Sequence, residues 1–266
     1  MKAQTASRIG VIGHGAVGSR VAADLAAGRV NGAVLAGIVV RGVLVDAPAP
    51  QLDLAQALEQ CDLIVECAGQ EALLAHGKAI LCAGVDLLIT SMGALADSRF
   101  LQSLEAAGPG RLFLTSGAIG GLDLLASGAR SDGYDSVVVT TKKLPSSLLQ
   151  PWMVQAQIDE LTAATEPVEI FSGSARDAAR LFPKSLNVAA AVAMAIGDWE
   201  VVSVRLIGDP TAELTEHVIE ANGPSGEYCF VIRNKPSPEN PRTSGVVPFS
   251  VLRSLESIVG VRGGLI

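Results

Sequence analysis

The chain has 266 residues, 49% of them hydrophobic and only 4% aromatic, which is enough for two modest domains with cores of Ala, Val, Leu and Ile. Twenty Lys and Arg against 27 Asp and Glu give a formal net charge of -7, and without a basic stripe this argues against a nucleic-acid partner. The apolar runs are too broken to span a bilayer, since Arg41 interrupts 34–45 and the run 188–196 ends at Gly197-Asp198.

The N-terminus, MKAQTASRIGVIG, runs into a strand without a separate apolar signal core, so a cytoplasmic protein is expected. Apolar β-branched runs then alternate with Ala/Leu-rich runs. They predict strands at 8–12, 34–40, 62–66, 86–90 and 111–115, with helices at 16–27, 52–60, 70–83 and 97–107 between them. Strands separated by helices imply βαβ units, and strands apolar throughout imply helices on both faces of a parallel sheet.

Beyond residue 115 the pattern changes. Strands are predicted at 136–143, 168–172, 201–207 and 227–233, with a long helix at 175–196 among them and an amphipathic helix at 248–259 closing the chain. The expected fold class is α/β: a Rossmann-type doubly wound parallel sheet plus a second α/β domain with a mixed or antiparallel-rich sheet. The expected domains are 1–115, 116–240 and 241–266, the last a C-terminal segment whose helix returns to the first domain. Cys61, Cys67, Cys82 and Cys229 form no CxxC pair and have no histidine at ligand spacing. They are expected to be small apolar residues in a reducing compartment, without a metal site.

The segment RIGVIGHGAVGSRVAADL places Gly13, Gly15 and Gly18 in a G-x-G-x-x-G that follows a strand and opens a helix, the context a dinucleotide needs. Gly13 makes the turn, Gly15 admits the pyrophosphate, and Gly18 lets the helix pack on the sheet. The amides around Ala16 and Val17 face the phosphates. His14, in the same loop, is expected to face solvent. The second strand ends in Val39-Val40-Arg41-Gly42, with no acid for the ribose hydroxyls. Arg41 is instead a partner for a 2′-phosphate, so NADP is expected to be accepted at least as well as NAD. Cys67 and Ala68, after the third strand, and the TSMGAL segment after the fourth should border the cofactor, because ligands lie at the carboxyl ends of strands in such sheets.

The segments TSGAIGGLDLL (115–125), TTKKLPSSL (140–148), FPKSLNVAAAVA (182–193) and NPRTSGVVPFSVLRSL (240–255), together with the glycine-rich loop, resemble the L-aspartate dehydrogenase family over nearly the whole chain. That family is similar in fold to homoserine dehydrogenases and dihydrodipicolinate reductases and is usually homodimeric. The resemblance implies oxidative deamination of L-aspartate to iminoaspartate with NAD or NADP. The imine then hydrolyses to oxaloacetate and ammonia or feeds quinolinate and NAD synthesis. It also implies that His217, in ELTEHVIEANG, is catalytic and that Gly121 and Asn187 contact the cofactor.

The residues themselves bear on this. Of three histidines, His14 belongs to the phosphate loop and His76 to a helical run, which leaves His217 for proton traffic near neutral pH. Two substrate carboxylates need cations, and Lys142, Lys143, Lys184 and Arg242 lie in or beside the matching segments, with Lys143 and Arg242 taken as substrate-binding. The amides of Ser116, Gly117 and Ala118 either line the nicotinamide and carboxylate pocket or form an interdomain crossover. Asn187, inside a predicted helix, either reaches the nicotinamide and its ribose or makes an interhelical bond. Two alternatives stay open: another NAD(P)-dependent oxidoreductase on this architecture, acting on homoserine, an aldehyde or a cyclic imine, and a dinucleotide-sensing protein without chemistry.

Overall fold

The computed structural model describes residues 6–183 and 187–260. Contacts divide the chain into two compact units, Met1–Gly117 with Val247–Ile266, and Ala118–Val246.

The first unit alternates strictly: β1 (Ser7–Ile12), α1 (Gly18–Ala26), β2 (Ala33–Val39), α2 (Leu54–Gln60), β3 (Leu63–Glu66), α3 (Gln70–Cys82), β4 (Asp86–Ile89), a 3₁₀ turn at Met92–Ala96, α4 (Ser98–Glu105) and β5 (Leu112–Leu114). All pairings are parallel, in the order β2-β1-β3-β4-β5. Successive residues of β3 and β4 are buried, as both faces being covered requires. The strand order reverses between β1 and β3, and such a sheet binds ligands at the carboxyl ends of the strands there.

The second unit contains α5 (Leu122–Ala129), β6 (Ser136–Lys143), a 3₁₀ turn at Pro145–Ser147, α6 (Gln155–Ala163), β7 (Val168–Ser174), α7 (Ala175–Leu181), α8 (Asn187–Ile196), β8 (Val202–Gly208), β9 (Thr215–Gly223) and β10 (Gly226–Asn234). The sheet order is β10-β9-β6-β8-β7. Only β6 and β8 run parallel, so the sheet is mixed. Helices α7 and α8 pack on β8. Along β6 the alternation of the strand buries Val137, Val139, Thr141 and Lys143 and leaves Val138, Thr140 and Lys142 half-exposed.

The helix expected at 175–196 is not one helix. α7 ends at Leu181, and Phe182 has φ -127° and ψ 58°, outside the helical region. Pro183 follows it, and proline both disfavours helical geometry in the residue before it and supplies no amide to the ladder.

The last element, α9 (Val247–Val259), belongs to the first unit. Its buried residues Pro248, Val251, Leu252 and Leu255 fall at i, i+3, i+4 and i+7, one stripe of a helix. Val251, Leu252 and Leu255 share a core with Ile9, Val11, Val21, Leu25 and Leu88. Among the described residues no helix is long and apolar enough to cross a membrane.

Candidate active site

In the first unit the glycine-rich loop connects β1 to α1. Gly13 has φ 94°, and a Cβ there would stand 2.9 Å from Ala68, so the loop after β1 lies directly against the loop after β3. A Cβ at Gly18 would be 2.1 Å from the Gly13 carbonyl oxygen and 3.3 Å from the Cys67 Cβ. These two glycines let loop, helix and neighbouring strand close on one another. Gly15 differs: a Cβ there meets nothing within 4 Å. Among the described residues the amides of Gly15, Ala16 and Val17 donate to no protein acceptor, and α1 has no side-chain cap. Uncapped amides at the start of a helix, beside open space, form an anion site, and they fit a dinucleotide pyrophosphate.

Cys67 is half-buried and Ala68 exposed, both at the strand-order reversal, where the sequence places them. Arg41 is exposed, just beyond the end of β2. His14 and His76 are half-buried, in the loop and on α3 respectively.

One residue beneath this site escaped the sequence reading. Glu66, 1% exposed at the end of β3, accepts hydrogen bonds from the amides of Ala68 (2.7 Å), Gly69 (2.7 Å) and Ser91 (3.2 Å) and from the Ser91 hydroxyl (3.0 Å). It ties the loop after β3 to the loop after β4. Burial pushes its carboxyl above the usual range, against the pull of those four donors. The available signal was a lone charge in an otherwise apolar strand.

In the second unit His217 lies on β9 directly opposite Thr141 of β6. Its Nδ1 is 2.9 Å from the Thr141 Oγ1, with His217 1% and Thr141 0% exposed. Lys143 is two residues along β6 on the same face, opposite the stretch of β9 that begins at Thr215. Burial first, and the Lys143 charge second, lower the His217 imidazole to about 3. The unperturbed value expected from sequence is therefore displaced, and the ring is held neutral at neutral pH. Lys143, itself buried, is lowered to about 8. Its Nζ donates to the Arg242 carbonyl oxygen at 3.3 Å.

Lys143 and Arg242 line a cavity of about 250 Å³ with Ser146, Ser147, Thr215 and Asn240. Lys142, on the opposite face, pairs with Glu216 at 3.7 Å. Lys184 lies outside the described residues. Ser116 is exposed and Gly117 and Ala118 half-buried; the Gly117 carbonyl accepts from Ser250 Oγ at 2.5 Å, and the Ala118 carbonyl from Asn234 Nδ2 at 2.7 Å. Gly121 opens α5 with φ 80°, and a Cβ there would be 2.5 Å from the Phe230 ring. Backbone conformation and close packing therefore each require glycine, independently of any cofactor contact. Asn187 is the first residue of α8 rather than an interior one. Among the described residues no group of three or more His, Cys, Asp or Glu side chains is placed to hold a metal ion.

Two known families match the chain: Aspartate dehydrogenase, C-terminal, over residues 123–258, and Homoserine dehydrogenase, NAD binding domain, over residues 13–109. The chain is 42% identical to an L-aspartate dehydrogenase of Ruegeria pomeroyi, over 93% of this chain and 91% of that one. It is 35% identical to an L-aspartate dehydrogenase of Serratia proteamaculans, over 97% of this chain and 99% of that one. Among solved structures it is similar to aspartate dehydrogenase from Thermotoga maritima, with a TM-score of 0.75 and 28% identity, covering 98% of each chain.

Proposed function

The chain belongs to the aspartate dehydrogenase family, and on that premise we propose that it oxidises L-aspartate to iminoaspartate with a nicotinamide dinucleotide as acceptor. The α-carbon loses its hydrogen with two electrons, the ammonium gives up a proton, and a C=N bond forms. Bound NAD or NADP supplies the acceptor for that hydride. The product hydrolyses to oxaloacetate and ammonia, or serves quinolinate and pyridine nucleotide synthesis.

The amides of Gly15, Ala16 and Val17 hold the pyrophosphate, with Gly13 setting the turn and Cys67 and Ala68 bordering the site. Arg41 takes a 2′-phosphate, so NADP is used as well as NAD. Gly121 and Asn187 complete the cofactor contacts. Lys143, Arg242 and the amides of Ser116, Gly117 and Ala118 bind the carboxylates.

His217 is the proton carrier. With a bound carboxylate offsetting the Lys143 charge that helps keep the ring deprotonated, the imidazole can take a proton from the ammonium or from the water that attacks the imine, and Thr141 fixes the ring by its Nδ1. The observation that carries this assignment is a buried, neutral histidine anchored at Nδ1, on the same sheet face as a buried lysine of the neighbouring strand.

The four free cysteines, two of them exposed, suit the cytoplasm. We infer that the chain forms a homodimer, the state usual in the family it resembles. Sedimentation at several concentrations tests that state.

The test of function is reduction of NAD and of NADP by the purified protein with L-aspartate, against D-aspartate, glutamate and homoserine. His217→Ala should keep coenzyme affinity and lose most turnover. A preference for homoserine, or no affinity for either coenzyme, would overturn the proposal.

A further inference from the structure

Lys143 carries a buried charge with no anion beside it. It is 5% exposed, and among the described residues its one acceptor is a neutral carbonyl, that of Arg242. The nearby carboxylates are engaged elsewhere. Glu216 pairs with Lys142 and Arg233, and Asp209 accepts from the amide and hydroxyl of Thr211 at 2.8 and 2.7 Å. A buried cation without a counter-charge is unfavourable, and such groups persist where a ligand supplies the charge.

Lys143 lines a cavity of about 250 Å³ together with Arg242, Ser146, Ser147 and Thr215. Sites for drug-sized ligands run from about 300 to 1,000 Å³, so this one suits a ligand of a few heavy atoms. Lys143 and His217 are diagonal neighbours on one sheet face, about 7–8 Å apart at the backbone. A carboxylate on Lys143 therefore sits a short carbon chain away from a group handled by His217.

We propose that this cavity is the subsite for the distal carboxylate of the amino dicarboxylate substrate, and that Lys143 decides for dicarboxylic over neutral amino acids. The proposal rests on the aspartate dehydrogenase reading above. A bound carboxylate also offsets the Lys143 charge, one of the two causes that keep His217 deprotonated.

The test uses the full chain with Lys143→Met, close in shape and uncharged, and Lys143→Arg. Steady-state kinetics are read alongside thermal stabilisation by succinate and by propionate. Lys143→Met should raise KM for L-aspartate about 10- to 100-fold, the loss of a charge-assisted pair, with coenzyme affinity unchanged. It should abolish stabilisation by succinate and narrow the preference for L-aspartate over L-alanine, and Lys143→Arg should restore part of each. With its unpaired charge removed, Lys143→Met should melt no lower than wild type. Should it melt lower, Arg242→Gln at the same cavity supplies the same readouts, and unchanged succinate stabilisation in it overturns the subsite. Wild-type turnover of L-aspartate combined with an unchanged KM in Lys143→Met sinks the subsite and leaves the function standing. Succinate binding that depends on Lys143 in a protein that does not turn over L-aspartate keeps the subsite as a dicarboxylate site and sinks the function.

Discussion

Replacing Gly15 and Gly18 separately by Ala separates a loop built for a ligand from a loop built for packing. At Gly18 the added methyl would fall 2.1 Å from the Gly13 carbonyl oxygen, a backbone atom that cannot rotate away. Overpacking of this kind costs about 1–3 kcal/mol. In a chain of this size each kcal/mol moves the melting temperature by about 2–4 °C, so a drop of about 2–12 °C is expected without coenzyme. At Gly15 the methyl meets nothing within 4 Å, so the unliganded variant should melt with the wild type. Coenzyme binding should reverse the comparison. A methyl at Gly15 occupies the space where the pyrophosphate approaches, and losing one charge-assisted hydrogen bond, about 1.5–3 kcal/mol, weakens Kd about 10- to 100-fold. Differential scanning fluorimetry measures the first quantity and titration calorimetry with NAD the second. Wild-type NAD affinity in Gly15→Ala would refute the phosphate site, and wild-type stability in Gly18→Ala would refute the packing geometry.

Other variants probe the remaining groups. Thr141→Val keeps the shape and strands the His217 Nδ1, a loss of about 1–3 kcal/mol, so kcat should fall about 10-fold or more with NAD affinity intact in calorimetry. Glu66→Ala removes the acceptor of four donors and should cost about 3–5 kcal/mol in urea denaturation, with weaker NAD binding; Glu66→Gln, which keeps one acceptor oxygen, should lose less of both. His217 gives stability a pH dependence. Its folded value, about 3, lies below the unfolded value of about 6.5, so below pH 6.5 the unfolded chain takes up a proton that the folded chain refuses. Stability should therefore fall as pH drops from about 6.5 toward 3, and the difference between wild type and His217→Asn, measured by urea denaturation across that window, should carry the slope.

The parallel sheet and its glycine loop are legible because each signal is local: apolar runs of strand length, helical runs between them, and glycines at fixed offsets. Less local features are hidden. Helix α5 follows Gly120-Gly121 and contains Gly128, so its eight residues look like a continuing loop, and α6 buries only Leu161, too little for a helical stripe. Glu66 reads as the charged end of a strand until Ser91, 25 residues on, is brought to it. On β6, alternation puts Thr141 and Lys143 on one face, but pairing with β9 and β8 decides that this face is the buried one. The histidine type is visible in the sequence, whereas its neutrality comes from burial that only the assembled sheet provides.

The position of α9 governs how this protein can be made. Ribosomes deliver the coenzyme-binding strands first, yet Ile9, Val11 and Val21 lack their partners Val251, Leu252 and Leu255 until residues 247–259 have been made. Everything from Ala118 to Val246 is thus an insertion that can mature while its host waits for a lid. A fragment ending at Gly117 would leave an apolar seam wet, whereas the same fragment spliced to 247–260 through a short linker should be soluble, because the Ser250 hydroxyl already bonds the Gly117 carbonyl.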